Sequence, residues 1–217
     1  MNLLDMLQPE DHEAGRVEGV AIGLVTNNKD EQGLGRIKVK YPWREADEQE
    51  SHWARLAVLA AGKERGTFWL PEVGDEVLLA FDKGDIEHPY VLGALWNGQD
   101  KPPDTNADGD NNTKMIRSRS GHQVTLFDKT GEERVEIKTQ GGHTILLDDK
   151  AGSARIEVKD SSGSNKIVIE TVQNSLTIES GLNLKIKSQM IDIEAGATMN
   201  IKSSGTLTLK GALVQIN

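Results

Sequence analysis

The chain has 217 residues, a net charge of −9 and no cysteine, which excludes a disulfide framework and a cysteine-ligated metal site. It contains no run of 18 apolar residues and no basic start typical of a secretion signal, so we expect synthesis in the cytoplasm without a signal peptide. Residues 1–100 carry 10 Lys and Arg against 19 Asp and Glu, whereas the remaining residues carry 15 against 15, so the acidity belongs to the first half.

The aromatic residues divide the chain in the same way. All four tryptophans and both tyrosines come before residue 100, and Phe127 is the only aromatic residue after it. We therefore predict two modules of different construction, the first with an aromatic core and the second with thin aliphatic ladders.

The first 15 residues are predicted to form an N-terminal arm. The apolar residues Leu3, Leu4, Met6 and Leu7 precede a proline and an acidic run, and they suffice for one amphipathic turn. A disordered arm and an arm that docks on another protein both remain open.

Residues 16–98 alternate strand and turn patterns throughout. The predicted strands are residues 17–25, 35–41, 52–59, 66–70, 76–81 and 89–96, and the predicted hairpin turns are residues 27–30 and 82–85. Five or six short strands with glycine at the bends, in about 80 residues, indicate a small closed barrel. The acidic run at residues 45–50 is predicted to be a solvated loop.

A five-stranded barrel is often an oligonucleotide binder, but the charge argues against that function. Single-stranded nucleic acid is bound by positive grooves with aromatic platforms, whereas residues 1–100 are strongly acidic. We expect no nucleic-acid partner. Accordingly, we interpret Trp43, Trp53, Trp69 and Trp96 as core and interface residues.

Residues 99–113 are rich in Asp, Asn, Pro and Gly and are predicted to form a linker. Asn106, Asp108, Asp110 and Asn112 alternate as the ligands of a calcium loop do. The sixth and twelfth positions are Asn and Arg, however, where such a loop has Gly and Glu. A flexible, hydrated connector is therefore preferred over a calcium site.

Pairs of apolar residues recur about every 11 residues between residues 114 and 170. The pairs are Val124/Leu126, Val135/Ile137, Ile145/Leu147, Ile156/Val158 and Ile167/Ile169. Turn sequences at residues 128–131 and 160–163 separate some of these pairs. The pattern predicts an antiparallel, intertwined β collar.

The last segment, residues 171–217, repeats a shorter unit. Its apolar pairs are Leu176/Ile178, Leu184/Ile186, Ile191/Ile193, Met199/Ile201, Leu207/Leu209 and Val214/Ile216, with successive pairs 7 or 8 residues apart. Each unit is predicted to be a very short strand and a corner. Such a unit covers only about one side of a triangular prism, so three identical chains wound about one axis would complete each turn. A one-chain antiparallel meander is the alternative.

Three stretches of the chain carry motifs of one known family. They are residues 71–81 (PEVGDEVLLAF), 88–98 (HPYVLGALWNG) and 116–126 (IRSRSGHQVTL). In this order they resemble the baseplate protein V and VgrG family, the central spikes of contractile phage tails, type VI secretion systems and related injection particles. The resemblance implies an all-β fold, with an N-terminal oligonucleotide/oligosaccharide-binding (OB) type barrel followed by a trimeric, intertwined β-helix needle.

No catalytic, cofactor or metal site is predicted. The five histidines, His12, His52, His88, His122 and His143, are scattered, with no serine elbow beside them and no metal-ligand spacing. The carboxylate pairs at residues 132–133 and 148–149 fall at strand ends, where a solvated turn explains them. We expect no enzyme activity.

The resemblance implies a mechanical function. A homotrimeric central spike of a contractile tail or injection-system baseplate would pierce the target cell envelope, contacting it transiently. Because the chain begins almost at the barrel, the resemblance also implies a separate hub protein at the barrel end. Assembly is expected in the baseplate of a phage virion or phage-tail-like particle. The alternative is a trimeric adhesin-like fibre protein that binds glycans.

The C-terminal end is the predicted docking site for a tip protein. The predicted contact residues are Leu213, Val214, Gln215, Ile216 and Asn217. An abruptly cut prism would leave strand edges and an apolar floor that need a cap. Some short spikes of the family hold iron at a His-x-His apex, but no histidine follows His143, so no metal is expected. The resemblance implies a PAAR-type tip protein as the cap.

Overall fold

The computed structural model describes residues 16–44 and 50–216. The predicted N-terminal arm, all but one residue of the acidic run, and Asn217 of the predicted tip contact lie outside the described residues. The described part consists of strands, turns and irregular segments without any α-helix, so the all-β prediction is confirmed. The chain forms two compact units, which divide between Ala107 and Asp108.

The first unit is built around a five-stranded sheet. Its strands are β1 (Val20–Asn27), β2 (Lys38–Lys40), β3 (Arg55–Leu56), β6 (Glu76–Asp82) and β7 (Asp85–Leu95), and a separate hairpin is formed by β4 (Ala61–Gly62) and β5 (Arg65–Gly66). The strand order is β2-β1-β6-β7-β3. All neighbours are antiparallel except β3 and β7, which are parallel.

The two edges of this sheet are joined just before β2 and β3. Ile37 and Ala54 form an antiparallel bridge in which the Ile37 amide donates to the Ala54 carbonyl at 3.0 Å and the Ala54 amide donates to the Ile37 carbonyl at 2.7 Å. The backbone amide of Ser51 also donates to the Val39 carbonyl at 2.7 Å. The sheet therefore closes on itself, as the predicted barrel requires.

The barrel interior is mainly aliphatic. The buried residues are Val25, Ile37, Val39, Tyr41, Ala54, Val77, Leu79, Phe81 and Val91. The prediction of tryptophans in the core is wrong for three of the four, because Trp43, Trp69 and Trp96 are between 47 and 70% exposed, whereas Trp53 is partly buried. A barrel this small has room for branched aliphatic side chains but not for several indoles. The exposed Trp43 instead donates its indole N–H to the Ile22 carbonyl at 3.1 Å.

The two predicted hairpin turns of the barrel have different outcomes. Asp82 and Asp85 pair directly, with Lys83 and Gly84 at φ 51° and 82°, so a tight two-residue turn is confirmed there. The predicted turn at residues 27–30 is instead the start of a longer loop, because Asn27 pairs with Lys38. The competing interaction is a side-chain pairing, in which the Asp30 carboxylate accepts from Arg36 Nε at 2.8 Å and Nη2 at 2.9 Å.

The second unit begins with a seven-stranded antiparallel sheet in which each strand pairs with its sequence neighbours. The strands are β8 (Thr113–Arg117), β9 (Gln123–Phe127), β10 (Arg134–Lys138), β11 (Thr144–Asp148), β12 (Arg155–Lys159), β13 (Lys166–Glu170) and β14 (Ser175–Glu179). All five apolar pairs predicted for the collar lie within these strands. The pair Leu176/Ile178, which the octad pattern placed in the needle, instead pairs with β13 in the same sheet.

Residues 180–216 have no assigned β-strand in this single chain, and all of them are exposed. The sequence predicts short strands here that need partners from other chains, since a unit with two apolar side chains has little to pack against. A strand is recognised by its ladder of hydrogen bonds to a neighbour. The octad strands therefore remain a prediction.

Candidate functional site

One face of the seven-stranded sheet is almost entirely apolar. We call it the apolar face, and its members are Ile116, Val124, Leu126, Val135, Ile137, Ile145, Leu147, Ile156, Val158, Ile167, Ile169, Leu176 and Ile178. They share one face because each strand alternates its side chains and the strands pair without a register shift.

The register arranges the apolar face as two rows running across the strands. One row joins Leu126, Val135, Leu147, Ile156, Ile169 and Leu176, and the other joins Ile116, Val124, Ile137, Ile145, Val158, Ile167 and Ile178. Residues directly opposite each other on neighbouring strands pack side by side. The apolar pairs, which are separate from one another along the sequence, therefore form one continuous surface in the sheet.

This surface is not covered by the described part of the chain. Its members are 37 to 63% exposed, whereas the core residues of the barrel are at most 9% exposed. Soluble monomers rarely expose a contiguous apolar patch of more than a few hundred Å², and larger patches mark interaction sites. The apolar face is therefore the main candidate for a functional surface.

The opposite face of the sheet is polar, and its long side chains cover one another. The Arg155 guanidinium lies 3.8 Å from the Asp148 carboxylate and 3.6 Å from that of Glu157. The Arg134 guanidinium lies 4.0 Å from the centre of the Phe127 ring. Long side chains shield one another here, and both Thr144 and Leu146 are buried. The polar face therefore leaves no comparable apolar surface exposed.

Beyond β14 the exposed apolar residues continue in the octad pattern. They include Leu184, Ile186, Ile191, Ile193, Met199, Ile201, Leu207 and Leu209. Of the predicted tip contact, Leu213 is 83% and Ile216 is 85% exposed, and Val214 and Gln215 are also exposed. These residues are available for contact, and their docking role remains a prediction.

Four of the five histidines lie in the described part of the chain, two in the barrel and two in turns of the second sheet. In the barrel, His52 pairs with Glu87, and His88 Nδ1 lies 2.9 Å from the Asp85 carboxylate. Hydrogen bonds from the Glu87 amide and then from His88 lower the pKa of Asp85. His122 and His143 lie in turns of the sheet. No group of three or more His, Asp or Glu in the described residues is arranged to hold a metal ion.

Carboxylates of residues 104, 108 and 132 accept local hydrogen bonds in turns. In the linker, the Asp104 carboxylate accepts from the Asn106 amide at 2.7 Å, and that of Asp108 accepts from the Asp110 amide at 3.1 Å. In the turn after β9, Lys129 donates to the Glu132 carboxylate at 2.8 Å. Such local bonds are typical of solvated turns. No helix in the described residues has the length and apolar composition to span a membrane.

The barrel matches a known family model. Residues 21–96 match the type VI secretion system/phage-baseplate injector OB domain. This range runs from the second residue of β1 to just beyond the end of β7, so it covers the five-stranded sheet except for Val20. The OB-type fold of the first unit is therefore confirmed.

Curated relatives extend the similarity beyond the barrel. The chain is 29% identical over 133 residues to the type VI secretion system spike protein VgrG3 of Vibrio cholerae, with 55% of this chain and 13% of the relative covered. It is 28% identical over 133 residues to the actin cross-linking toxin VgrG1 of V. cholerae, covering 55% and 12%. It is 35% identical over 102 residues to the spike protein VgrG5 of Pseudomonas aeruginosa, covering 44% and 13%.

These relatives are much longer proteins, and the chain spans about an eighth of their length. The matches and the motifs nevertheless agree on one group of proteins, and the OB barrel confirms the fold that the motifs imply. Residues 21–96 therefore belong to the type VI secretion system/phage-baseplate injector OB domain family, and the chain is similar to VgrG spike proteins.

Proposed function

We propose that this chain is the structural subunit of a homotrimeric central spike in a contractile-tail or injection-system baseplate. The observation that carries the proposal is the exposed apolar face, which continues into the octad repeats. A face of this size requires a covering partner, and its repetition along the chain suits a partner with the same repeat. Further copies of this chain meet that requirement.

Three copies suit the repeat better than two. Each octad unit covers one side of a triangular prism, so three chains related by a threefold axis enclose the apolar side chains. Strand edges in residues 180–216 then pair between chains, which explains why no ladder forms there within one chain. The polar face of the sheet, with its ion pairs, becomes the outer surface.

This assembly suits a mechanical role. Strands that alternate among three chains separate only when many backbone hydrogen bonds break together, so the rod resists shear when it is driven through a cell envelope. The relatives are named as spike proteins, which supports the same role. The family resemblance further suggests a hub protein at the barrel and a PAAR-type tip protein at Leu213 to Asn217.

The solution mass of the purified chain tests the proposal. Three chains of 23.7 kDa give about 71 kDa by light scattering. A truncation after Glu179 keeps the complete seven-stranded sheet but removes the octads, and we expect it to assemble more weakly. A shorter chain, truncated after Thr171, also lacks β14 and is expected to assemble still more weakly.

A stable full-length monomer would overturn the trimeric spike. Specific glycan binding by a full-length trimer that fails to enter baseplates would favour the adhesin-like alternative. Co-assembly with a hub and a PAAR-type protein in a baseplate particle would support the spike.

A further inference from the structure

Three hairpin turns lie at the same end of the strands of the seven-stranded sheet and share the same internal hydrogen bonds. We call this side of the sheet, where the strands end, the turn edge. The turns span residues 118–122, 139–143 and 160–165. In each turn, the side-chain oxygen of the first residue accepts from the backbone amide of the last, at 3.1 Å for Ser118, 3.1 Å for Thr139 and 3.2 Å for Asp160. The three turns therefore form a repeat whose unit is two strands and not one.

The last residue of each turn also reaches the next turn along the turn edge. His122 Nδ1 accepts from the Gln140 amide at 3.1 Å, and His143 Nδ1 accepts from the Ser161 amide at 3.3 Å. In the third turn, Asn165 Oδ1 accepts from the Gly181 amide at 3.1 Å. We call these three bonds the edge rungs, because each joins consecutive turns in the same way.

Glycines allow the turns to approach closely enough for the edge rungs. Gly121 and Gly142 both adopt φ of +93°, a conformation that side chains disfavour. A Cβ atom on Gly142 would lie 3.2 Å from the Ser161 Cβ, which is a tight contact, whereas one on Gly121 would lie 3.5 Å from the Gln140 Cγ, which is an ordinary contact. The glycine that precedes each of these histidines therefore suits the conformation of the turn.

The histidine rungs require a neutral ring. A nitrogen that accepts a hydrogen bond carries no proton, so in each rung the ring proton is on Nε2. A protonated imidazole has N–H groups at both positions and would direct one of them at the Gln140 or Ser161 N–H. The amide oxygen of Asn165 accepts at any mildly acidic pH, so the third rung has no such requirement.

We propose that His122 and His143 form an acid-sensitive latch along the turn edge, in which mild acid releases the first two edge rungs and leaves the Asn165 rung closed. Both histidine rungs join residues of the same chain. Release of the latch loosens two turns of the collar without breaking the strand ladders, because the ladder bonds are between backbone groups.

Charged groups of both signs surround the histidine rungs. Arg117 and Arg119 flank the His122 turn. The cleft that includes His143 is also lined by Lys159, Asp160, Lys166 and Glu179, two groups of each sign.

In the third turn, hydrogen bonds led by that from the Asn165 side chain lower the pKa of Asp160 to about 2. The Asp160 carboxylate therefore remains charged in mild acid, when the histidines change. The third turn therefore serves as an internal control for the acid response of the first two turns.

Hydrogen–deuterium exchange of the full-length protein at pH 7.5 and pH 5.0 tests the latch. Rates are resolved to single amides and corrected for the intrinsic pH dependence of exchange. At pH 5.0 we expect the Gln140 and Ser161 amides to exchange about fivefold faster, the effect of losing one exposed hydrogen bond. The Gly181 amide, bonded to Asn165, is expected to keep its corrected rate.

The matched variant replaces both rung histidines with asparagine, the residue that forms the third rung. His122→Asn combined with His143→Asn is expected to keep the Gln140 and Ser161 amides protected at both pH values. The single substitutions are expected to protect only their own rung. His88→Asn, in the barrel, serves as the control and is expected to leave all three amides as in the native protein.

Three results would overturn the latch. The first is equal corrected exchange of Gln140 and Ser161 at the two pH values. The second is the same acid response in the native protein and the double asparagine variant. The third is an acid response of Gly181 as large as those of the histidine rungs.

Discussion

The two units of this chain use the same alternation of apolar and polar residues with opposite results. On β6 the apolar residues Val77, Leu79 and Phe81 are buried inside the barrel, whereas on β12 the apolar residues Ile156 and Val158 remain about two-fifths exposed. The barrel closes through the bridge before β2 and β3, while the second sheet has free edges at β8 and β14. Alternation therefore identifies a face to be buried but does not say which chain buries it.

The largest expected effect comes from placing a charge on the apolar face. Ile169→Asp puts a carboxylate into one row of this face, between Ile156 and Leu176. If copies of the chain cover that face, burying an unpaired charge costs several kcal/mol, and we expect trimers to be lost at micromolar concentration. Light scattering of the full-length variant measures the change.

Its control is the adjacent residue on the same strand. Val168 is also β-branched but lies on the polar face, opposite Glu157 and Thr177. Val168→Asp is expected to keep the native mass, because its carboxylate remains in contact with water. Loss of assembly in Val168→Asp but not in Ile169→Asp would show that the partner covers the polar face instead.

A smaller effect is expected from opening the barrel core. Leu79 is completely buried, so Leu79→Ala should lower the free energy of unfolding of the first unit by about 2–5 kcal/mol. All four tryptophans lie in this unit, so urea unfolding followed by tryptophan fluorescence reports on it selectively.

The solution mass of Leu79→Ala is expected to remain that of the native protein, because the barrel core does not form the apolar face. Leu34→Ala, at an exposed position of the same unit, is the matched control and should change stability by less than about 0.5 kcal/mol. Dissociation of Leu79→Ala at temperatures where its barrel is still folded would show that the barrel core also contributes to assembly.

The smallest expected effect concerns one phenol at the edge of the barrel core. The Tyr41 hydroxyl donates to the Ile86 carbonyl at 3.2 Å, and burial, followed by the Glu87 charge, raises the pKa of Tyr41 from 10.0 to about 12. A raised pKa favours the folded state below pH 10, and this contribution is lost as pH rises through 12. Tyr41→Phe should cost about 1 kcal/mol at pH 7 and show less alkaline destabilisation between pH 10 and 12.

Urea unfolding at pH 7, 9, 10 and 11 measures this difference. Tyr90→Phe removes a phenol from β7 of the same barrel and is the control. An equal change in alkaline sensitivity in the two variants would show that the effect does not come from the burial of Tyr41.

Much of the fold follows from local patterns in the sequence. The barrel strands near Val77 and Val91 and the collar strands with their two-residue apolar pairs were predictable, because period-two alternation between turn residues is a strong strand signal. The turn at Lys83-Gly84 was predictable because a tight hairpin favours positive φ at both central positions. The apolar pairs also indicated which face of the collar sheet is apolar.

Other features depend on interactions that the sequence alone does not display. The exposure of Trp69 and Trp96 follows from the width of the closed barrel, and the end of the sheet at β14 follows from the pairing of Leu176 with Ile169. The edge rungs do not follow from the apolar spacing, because they depend on polar residues of the turns. Their signal was present in the Gly-His dipeptides that end at His122 and His143, 21 residues apart.

The neighbour-only pairing of β8 to β14 also determines when this part of the chain folds. Each hairpin joins strands separated by a short turn, so it forms within microseconds and without waiting for distant residues. In the barrel, by contrast, Val20 must find Ala80, which is a slower search. We therefore expect a newly made chain to form its collar hairpins one at a time during synthesis, so that the proposed assembly of chains would be a separate, concentration-dependent step.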